Sequence, residues 1–171
     1  MLVINAHFRR LTEISLVDAY DEMGVYVLWS AHASVRPSYI GEGNVLRRFV
    51  DHMGKSWAAR PIHGMMAFLD HVTVKQTKAA GELIEAALLE IADGIDRYPS
   101  NNAASGKRKS FGRLLRGRSD TTVRIVVSGQ DPLLPPEKPP MREDKWIVIR
   151  DHGNDEWHID EAHWNARPRS A

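Results

Sequence analysis

The side chains best suited to proton transfer and anion stabilisation are two tyrosines, an arginine and a histidine one helical turn apart, and a helical glutamate: Tyr26, Tyr39, Arg48, His52 and Glu85. Gly24-Val25-Tyr26 opens an apolar run through Trp29 that is too short and too rich in Val and aromatics for a helix, so a buried strand is expected. Ser38 to Gly41 reads as its partner, and Ser30 to Pro37 carries the small and breaker residues of a hairpin loop. Side chains alternate along a strand, so Tyr26 shares its face with Gly24 and Leu28, and Tyr39 with Gly41. Two phenols on neighbouring strands make a compact site available. Next, Asn44 is a good N-cap, and Val45, Leu46, Phe49, Val50 and Met53 recur at helical spacing until Gly54. On that helix Arg48 and His52 project from one face, which holds a cation and a titratable imidazole together.

Taken in order, Gly24-Val25-Tyr26, Tyr39-Ile40-Gly41, Arg48, His52, Glu85 and Asn102 resemble the pattern of the GIY-YIG nucleases across roughly residues 20 to 102. A three-residue match arises readily by chance, but five elements in the right order are far more specific. Arg48 rather than Arg47 keeps the one-turn spacing to His52, and in Pro99-Ser-Asn-Asn102 the Asn102 position fits the closing motif better than Asn101. The resemblance implies a small three-stranded antiparallel sheet flanked by helices. It implies Tyr26 as general base, Tyr39 orienting water or phosphate, and Arg48 stabilising the transition state. It also implies Glu85 as the ligand of one divalent metal, Mg2+ or Mn2+, with Asn102 completing the site. Phosphodiester hydrolysis needs a deprotonated water, positive charge near the nonbridging oxygens and help for the leaving alkoxide. A phenol with a pKa of about 10 is a poor base at neutral pH unless a metal, an arginine or a histidine lowers it, so His52 is a candidate proton relay or the base itself. Taken singly, each tyrosine also reads as a strand residue with its hydroxyl hydrogen-bonded, and His52 as a helix-surface imidazole.

At 171 residues with 43% apolar content, the chain allows one good-sized domain or a small domain with an appendage. It has no run approaching a membrane span, and the N-terminal Met-Leu-Val-Ile-Asn-Ala-His-Phe-Arg-Arg lacks the apolar region of a signal peptide, so a cytoplasmic protein without a membrane partner is expected. The absence of cysteine excludes disulfides, iron–sulfur clusters and thiolate zinc sites. A net charge of +1 says little, because the charges are unevenly spread.

The remaining segments position or extend this site. Leu2-Val3-Ile4 is a short candidate strand, while Leu11 to Tyr20 mixes apolar and acidic residues without a clear period. Trp57, Arg60 and His63 lie on an expected loop that either borders a groove or is plain surface. Phe68 to Lys75 alternates and reads as the third strand; the stripe Leu83, Ile84, Ala87, Leu88, Ile91 and Ile95 then marks a helix over 80–95 carrying Glu85. Lys107, Arg108, Lys109, Arg113, Arg116 and Arg118 have no acid among them, so 103–120 reads as a basic flexible linker able to bind nucleic acid, with Phe111 able to stack on a base. It equally reads as a solvated tether.

Residues 121–171 read as a β-rich appendage: a strand at 121–127, a proline-rich connection, and a hairpin turned by His152-Gly-Asn-Asp155. Its Asp151, His152, His158, Asp160, Glu161 and His163 match no ligand spacing, and Trp146, Trp157 and Trp164 read as packing the appendage or a protein partner's surface. The expectation is therefore an α/β chain with a GIY-YIG-like domain at 1–102, acting as a metal-dependent endonuclease with DNA favoured over RNA. The alternatives are a binding or interaction module that keeps the fold without cleaving, and a hydrolase centred on the appendage's His and acidic residues.

Overall fold

A computed structural model of the chain describes residues 1–10, 22–30, 35–53, 61–68, 74–100, 102 and 110–164. Strand β1 spans Leu2–Arg10, β2 Met23–Ser30, β3 Tyr39–Asn44, β4 Pro61–Phe68, β5 Thr122–Gly129, β6 Lys145–Asp151 and β7 Trp157–Ala162. The helices are α1 over Val45–Met53, α2 over Val74–Gly94 and α3 over Phe111–Leu115. All seven strands join one sheet in the order β3-β2-β4-β1-β5-β6-β7, and the architecture is mixed α/β. Each neighbouring pair is antiparallel except β1 and β5.

Period-2 burial explains the sheet. In β1, Ile4, Ala6 and Phe8 are buried while Val3, Asn5, His7 and Arg9 are exposed. Val25, Val27 and Trp29 of β2, Ile40 of β3, Ala67 of β4, Val123, Ile125 and Val127 of β5, and Ile147 and Ile149 of β6 continue the buried side. They share one core with Leu83, Ile84, Ala87, Leu88 and Ile91 of α2 and with Phe111 and Leu115 of α3. Full burial of one such aliphatic side chain contributes roughly 1.5–3 kcal/mol.

Three expectations are corrected. The third strand of the motif sheet is not at 68–75 but at Pro61–Phe68, and α2 begins at Val74. Pro61 occupies the first strand position, where the lack of an N–H is tolerated, and pairing of Gly64 with Leu28 of β2, in a strand that β1 also joins from Met65 onward, overrides its breaker character. The sheet has seven strands, and 121–171 does not stand apart from it, because β5 pairs in parallel with β1 from Leu2↔Val123 to Phe8↔Gly129. Nor is 103–120 a tether throughout. Ser110 caps α3 by accepting from the Arg113 N–H, Phe111 and Leu115 are buried one turn apart, and α3 packs on α2 and β7. Phe111, expected to stack on a base, is thus a core residue.

Helix α2 ends in a turn closed by Arg97 N–H to Ala92 O (2.7 Å) and Asp96 N–H to Asp93 O (3.3 Å), with Asp96 at φ 57°. The expected 152–155 turn is present, with Asn154 and Asp155 at positive φ between β6 and β7. Residues 11–20, Trp57, Arg60, Lys107, Arg108 and Lys109 lie outside the described residues, as do the side chains of His52 and His63. Among the described residues, no helix is long and apolar enough to cross a membrane.

Candidate active site

Strands β2 and β3 pair so that Tyr26 stands opposite Gly41, and Leu28 opposite Tyr39. Partners across a ladder face the same way, which puts both phenols on the side of β2 opposite Val25 and Val27. The rings stack with centroids 6.0 Å apart and planes 18° apart, and their hydroxyls are hydrogen-bonded. Tyr26 is buried, whereas Tyr39 is half-buried.

Gly41 makes that approach possible. A Cβ there would lie 2.6 Å from Tyr26 Oη and 2.6 Å from Tyr39 Cε1. Gly24 is equally constrained, since a Cβ would strike the Ala67 carbonyl oxygen and meet Val45 Cγ2 at 3.2 Å. Gly43, at φ 134°, has the Arg48 side chain lying over it, with Nε 3.3 Å from where a Cβ would sit. Tyr39, Gly41 and Gly43 are therefore successive positions on one face of β3, the last two bare so that the phenols and the guanidinium can close in.

Asn44 is the expected N-cap of α1: its Oδ1 accepts from the Arg47 N–H at 2.9 Å. The first turn of α1 then holds no acid and two arginines, Arg47 and Arg48. Cations at a helix N-terminus oppose the macrodipole by about 0.3–1 kcal/mol each, so this end favours an anion. Beside it lies a cleft of about 300 Å³ lined by Met23, Glu42, Gly43, Asn44, Arg47, Arg48, Asp51 and Lys78. Met23, Glu42 and Lys78 were not singled out from sequence; the cluster of cations at an N-cap was the available signal.

Charge bears on both phenols. Burial pushes the Tyr26 pKa well above its ordinary value, Tyr39, Glu85 and Glu42 raise it further, and Arg48 opposes them. Burial likewise raises Tyr39, followed by Glu85; Arg48 and the hydrogen bond from Tyr26 pull it down. Arg48, Glu85 and Glu42 thus each fall within electrostatic reach of both phenols. Two hydrogen-bonded phenols titrate as a pair, and the hydrogen bond favours the anion on Tyr39.

Asn102 serves this arrangement from outside. Its Oδ1 accepts from Ile40 N–H and its Nδ2 donates to Ile40 O, both at 2.8 Å, while Ser100 N–H donates to Pro37 O at 3.1 Å. The segment covers the outer edge of β3 and fixes the backbone between Tyr39 and Gly41, so Asn102 is a positioning residue. His52 lies within α1. Arg113, Arg116 and Arg118 are exposed on and just after α3.

The acidic and imidazole groups near the β6–β7 turn are engaged elsewhere. Asp160 binds Arg150 Nη1 at 2.8 Å, and Asp151 Oδ1 accepts from Gly153 N–H at 2.8 Å. Among the described residues, no group of three or more His, Cys, Asp or Glu side chains could hold a metal ion. No protein-family model, no curated protein and no solved structure matches the chain.

Proposed function

We propose that the chain is a divalent-metal-dependent endonuclease of GIY-YIG type that hydrolyses phosphodiester bonds of nucleic acid, DNA ahead of RNA. The observation that carries the reading is two hydrogen-bonded phenols within the electrostatic reach of both Arg48 and Glu85, beside a helix end whose first turn carries two arginines and no acid. A binding module needs cations, but it has no use for a carboxylate whose charge bears on a pair of hydrogen-bonded phenols.

The donor set fits a hard cation that keeps most of its waters. One carboxylate, Glu85, beside phenol oxygens suits Mg2+ or Mn2+. An ion bound at Glu85 would supply Lewis-acid polarisation of the phosphate and would offset the carboxylate charge that adds to burial in raising both phenols.

Arg48 pairs with the nonbridging oxygens as charge builds on them, with the N-terminus of α1 at its back. The Tyr26–Tyr39 pair, once it has lost one proton to solvent, is a phenolate held in the hydrogen bond between the rings; it accepts the proton of the attacking water and returns to the neutral pair. Asn102 and Gly41 keep the rings in register for that transfer. Because the pair is held protonated, cleavage rises with pH from neutral into the alkaline range.

The test is incubation of purified protein with supercoiled plasmid and with RNA, with and without Mg2+ or Mn2+, beside Tyr26→Phe and Glu85→Ala. The expected result is metal-dependent nicking by wild type alone, weakening as salt rises. Equal cleavage by both variants would overturn the assignment.

A further inference from the structure

The tyrosine-bearing side of the sheet does not stop at the active site. Register carries it from Tyr26 to Met66 of β4 and on to Arg9 of β1, so the exposed side of β1 is the same face. There Val3, Asn5 and His7 are exposed, in contrast to the buried Ile4, Ala6 and Phe8. Asn5 then stands opposite Val126 of β5, and Val126 opposite Trp146 of β6; Val3 stands opposite Arg124. The opposite face is filled by α2 and α3, whereas Val3 keeps 46% of its surface exposed.

Trp146 differs from the other tryptophans of this half. Trp157 and Trp164 are buried in the core, but Trp146 is only half-buried, on the open face. Arg124 lies over its indole with the guanidinium carbon 5.4 Å from the ring centroid. Among the described residues no carboxylate pairs with Arg124, and its buried Nε has no hydrogen-bond partner. On this face β1 and β5 carry no acid at all; the acids begin on β7, where Asp160 is bound to Arg150 and the exposed Glu161 stands opposite Val148.

We infer that this face is a platform for single-stranded nucleic acid, with Trp146 stacking a base and Arg124 binding a phosphate, leading the strand to the candidate active site. The inference rests on the proposed nuclease function for the direction of the strand, while the platform itself stands on the geometry. An aromatic ring backed by a guanidinium that no carboxylate pairs among the described residues, where β1 and β5 present no acid, suits alternating bases and phosphates. Four interstrand steps separate β2 from β6, so Trp146 lies roughly 19 Å across the sheet from the strand of Tyr26. A few extended nucleotides span such a distance; a stiff duplex does not bring its bases flat onto a sheet.

The experiment is fluorescence anisotropy in EDTA with labelled oligothymidylate and oligouridylate of about 12 nucleotides, and a duplex of equal length. Wild type, Trp146→Ala, Trp146→Phe and Arg124→Ala are compared after their folding is verified by circular dichroism and thermal melting. Trp146→Ala should weaken single-strand binding by about 5- to 100-fold, and Trp146→Phe should recover most of it. Arg124→Ala should lower the salt dependence by about one phosphate contact. Cleavage of bis(p-nitrophenyl) phosphate, too small to reach the platform, should be unchanged in every variant. Equal affinity of Trp146→Ala, Arg124→Ala and wild type for the oligonucleotides would overturn the inference, as would an equal dependence on Trp146 for the duplex. If binding depends on Trp146 and Arg124 yet wild type cleaves nothing in the presence of metal, the nuclease reading fails and the platform stands.

Discussion

Substituting Gly41 by alanine tests the geometry of the site with one methyl group. The new Cβ would sit 2.6 Å from Tyr26 Oη and from Tyr39 Cε1, well inside contact distance, and 2.8 Å from Tyr26 Cζ. Neither ring has an easy way out, because Tyr26 is buried and Tyr39 belongs to a strand whose outer edge is pinned by Asn102. Overpacking of this kind costs about 1–3 kcal/mol, and parting the hydroxyls removes a hydrogen bond worth about 0.5–1.5 kcal/mol. A loss of roughly 2–4 kcal/mol follows, which for a chain of this length lowers Tm by about 4–16 °C. Cleavage measured well below the melting range should fall by at least about tenfold, since the phenol pair loses its alignment. Gly112→Ala is the control: its Cβ would press on the Asp155 carbonyl oxygen at 2.5 Å, far from the phenols in the chain, so it should lower Tm without lowering the rate per folded molecule. A Gly41→Ala protein with wild-type Tm and cleavage rate would refute the reasoning.

Three further outcomes are expected. Asn102→Ala should remove about 1–3 kcal/mol and speed hydrogen exchange at the Ile40 amide, whose N–H it now binds; unchanged exchange would show that the edge of β3 is held otherwise. Because burial raises Tyr26 above the unfolded value near 10, the folded state keeps its proton while the unfolded chain releases it. Stability is therefore fully present below about pH 10 and falls above it, by at most about 1.4 kcal/mol per pH unit for this phenol; urea unfolding at successive alkaline pH values should show a shallower fall in Tyr26→Phe. Asp96→Gly, at φ 57° on the turn after α2, should raise stability by about 0.5–1 kcal/mol in thermal melts, and a decrease would mean the Asp96 side chain makes a compensating contact.

The parts of the fold readable from sequence are those governed by local chemistry. Asn44 caps α1, the apolar run after Gly24 forms β2, and His152-Gly-Asn-Asp155 turns the last hairpin, because each depends on residues a few positions apart. Strand β4 escaped because Pro61 and Gly64 look like punctuation, and only pairing with β2 makes them strand. The parallel ladder between β1 and β5 joins residues over 100 positions apart, which no local pattern encodes, and with it went the continuity of the sheet. Phe111 showed apolar character but not its partner, so core packing and base stacking could not be told apart until α3 was seen against α2 and β7. At the site, the spacing of Tyr26, Tyr39, Arg48 and Glu85 could be read, whereas the part of Asn102 as a clamp on Ile40 and the presence of Glu42 beside the phenols required the structure.

The most direct measurement is the rate of Mn2+-dependent nicking of supercoiled plasmid by wild type and by Glu85→Ala, each shown to be folded by its melting curve. The account predicts nicking by wild type that chelation stops, and a loss of at least about a hundredfold in Glu85→Ala, the range expected when a group central to transition-state charge is removed. A folded Glu85→Ala protein that nicks at the wild-type rate, or a wild type inert with every divalent ion tried, would contradict it.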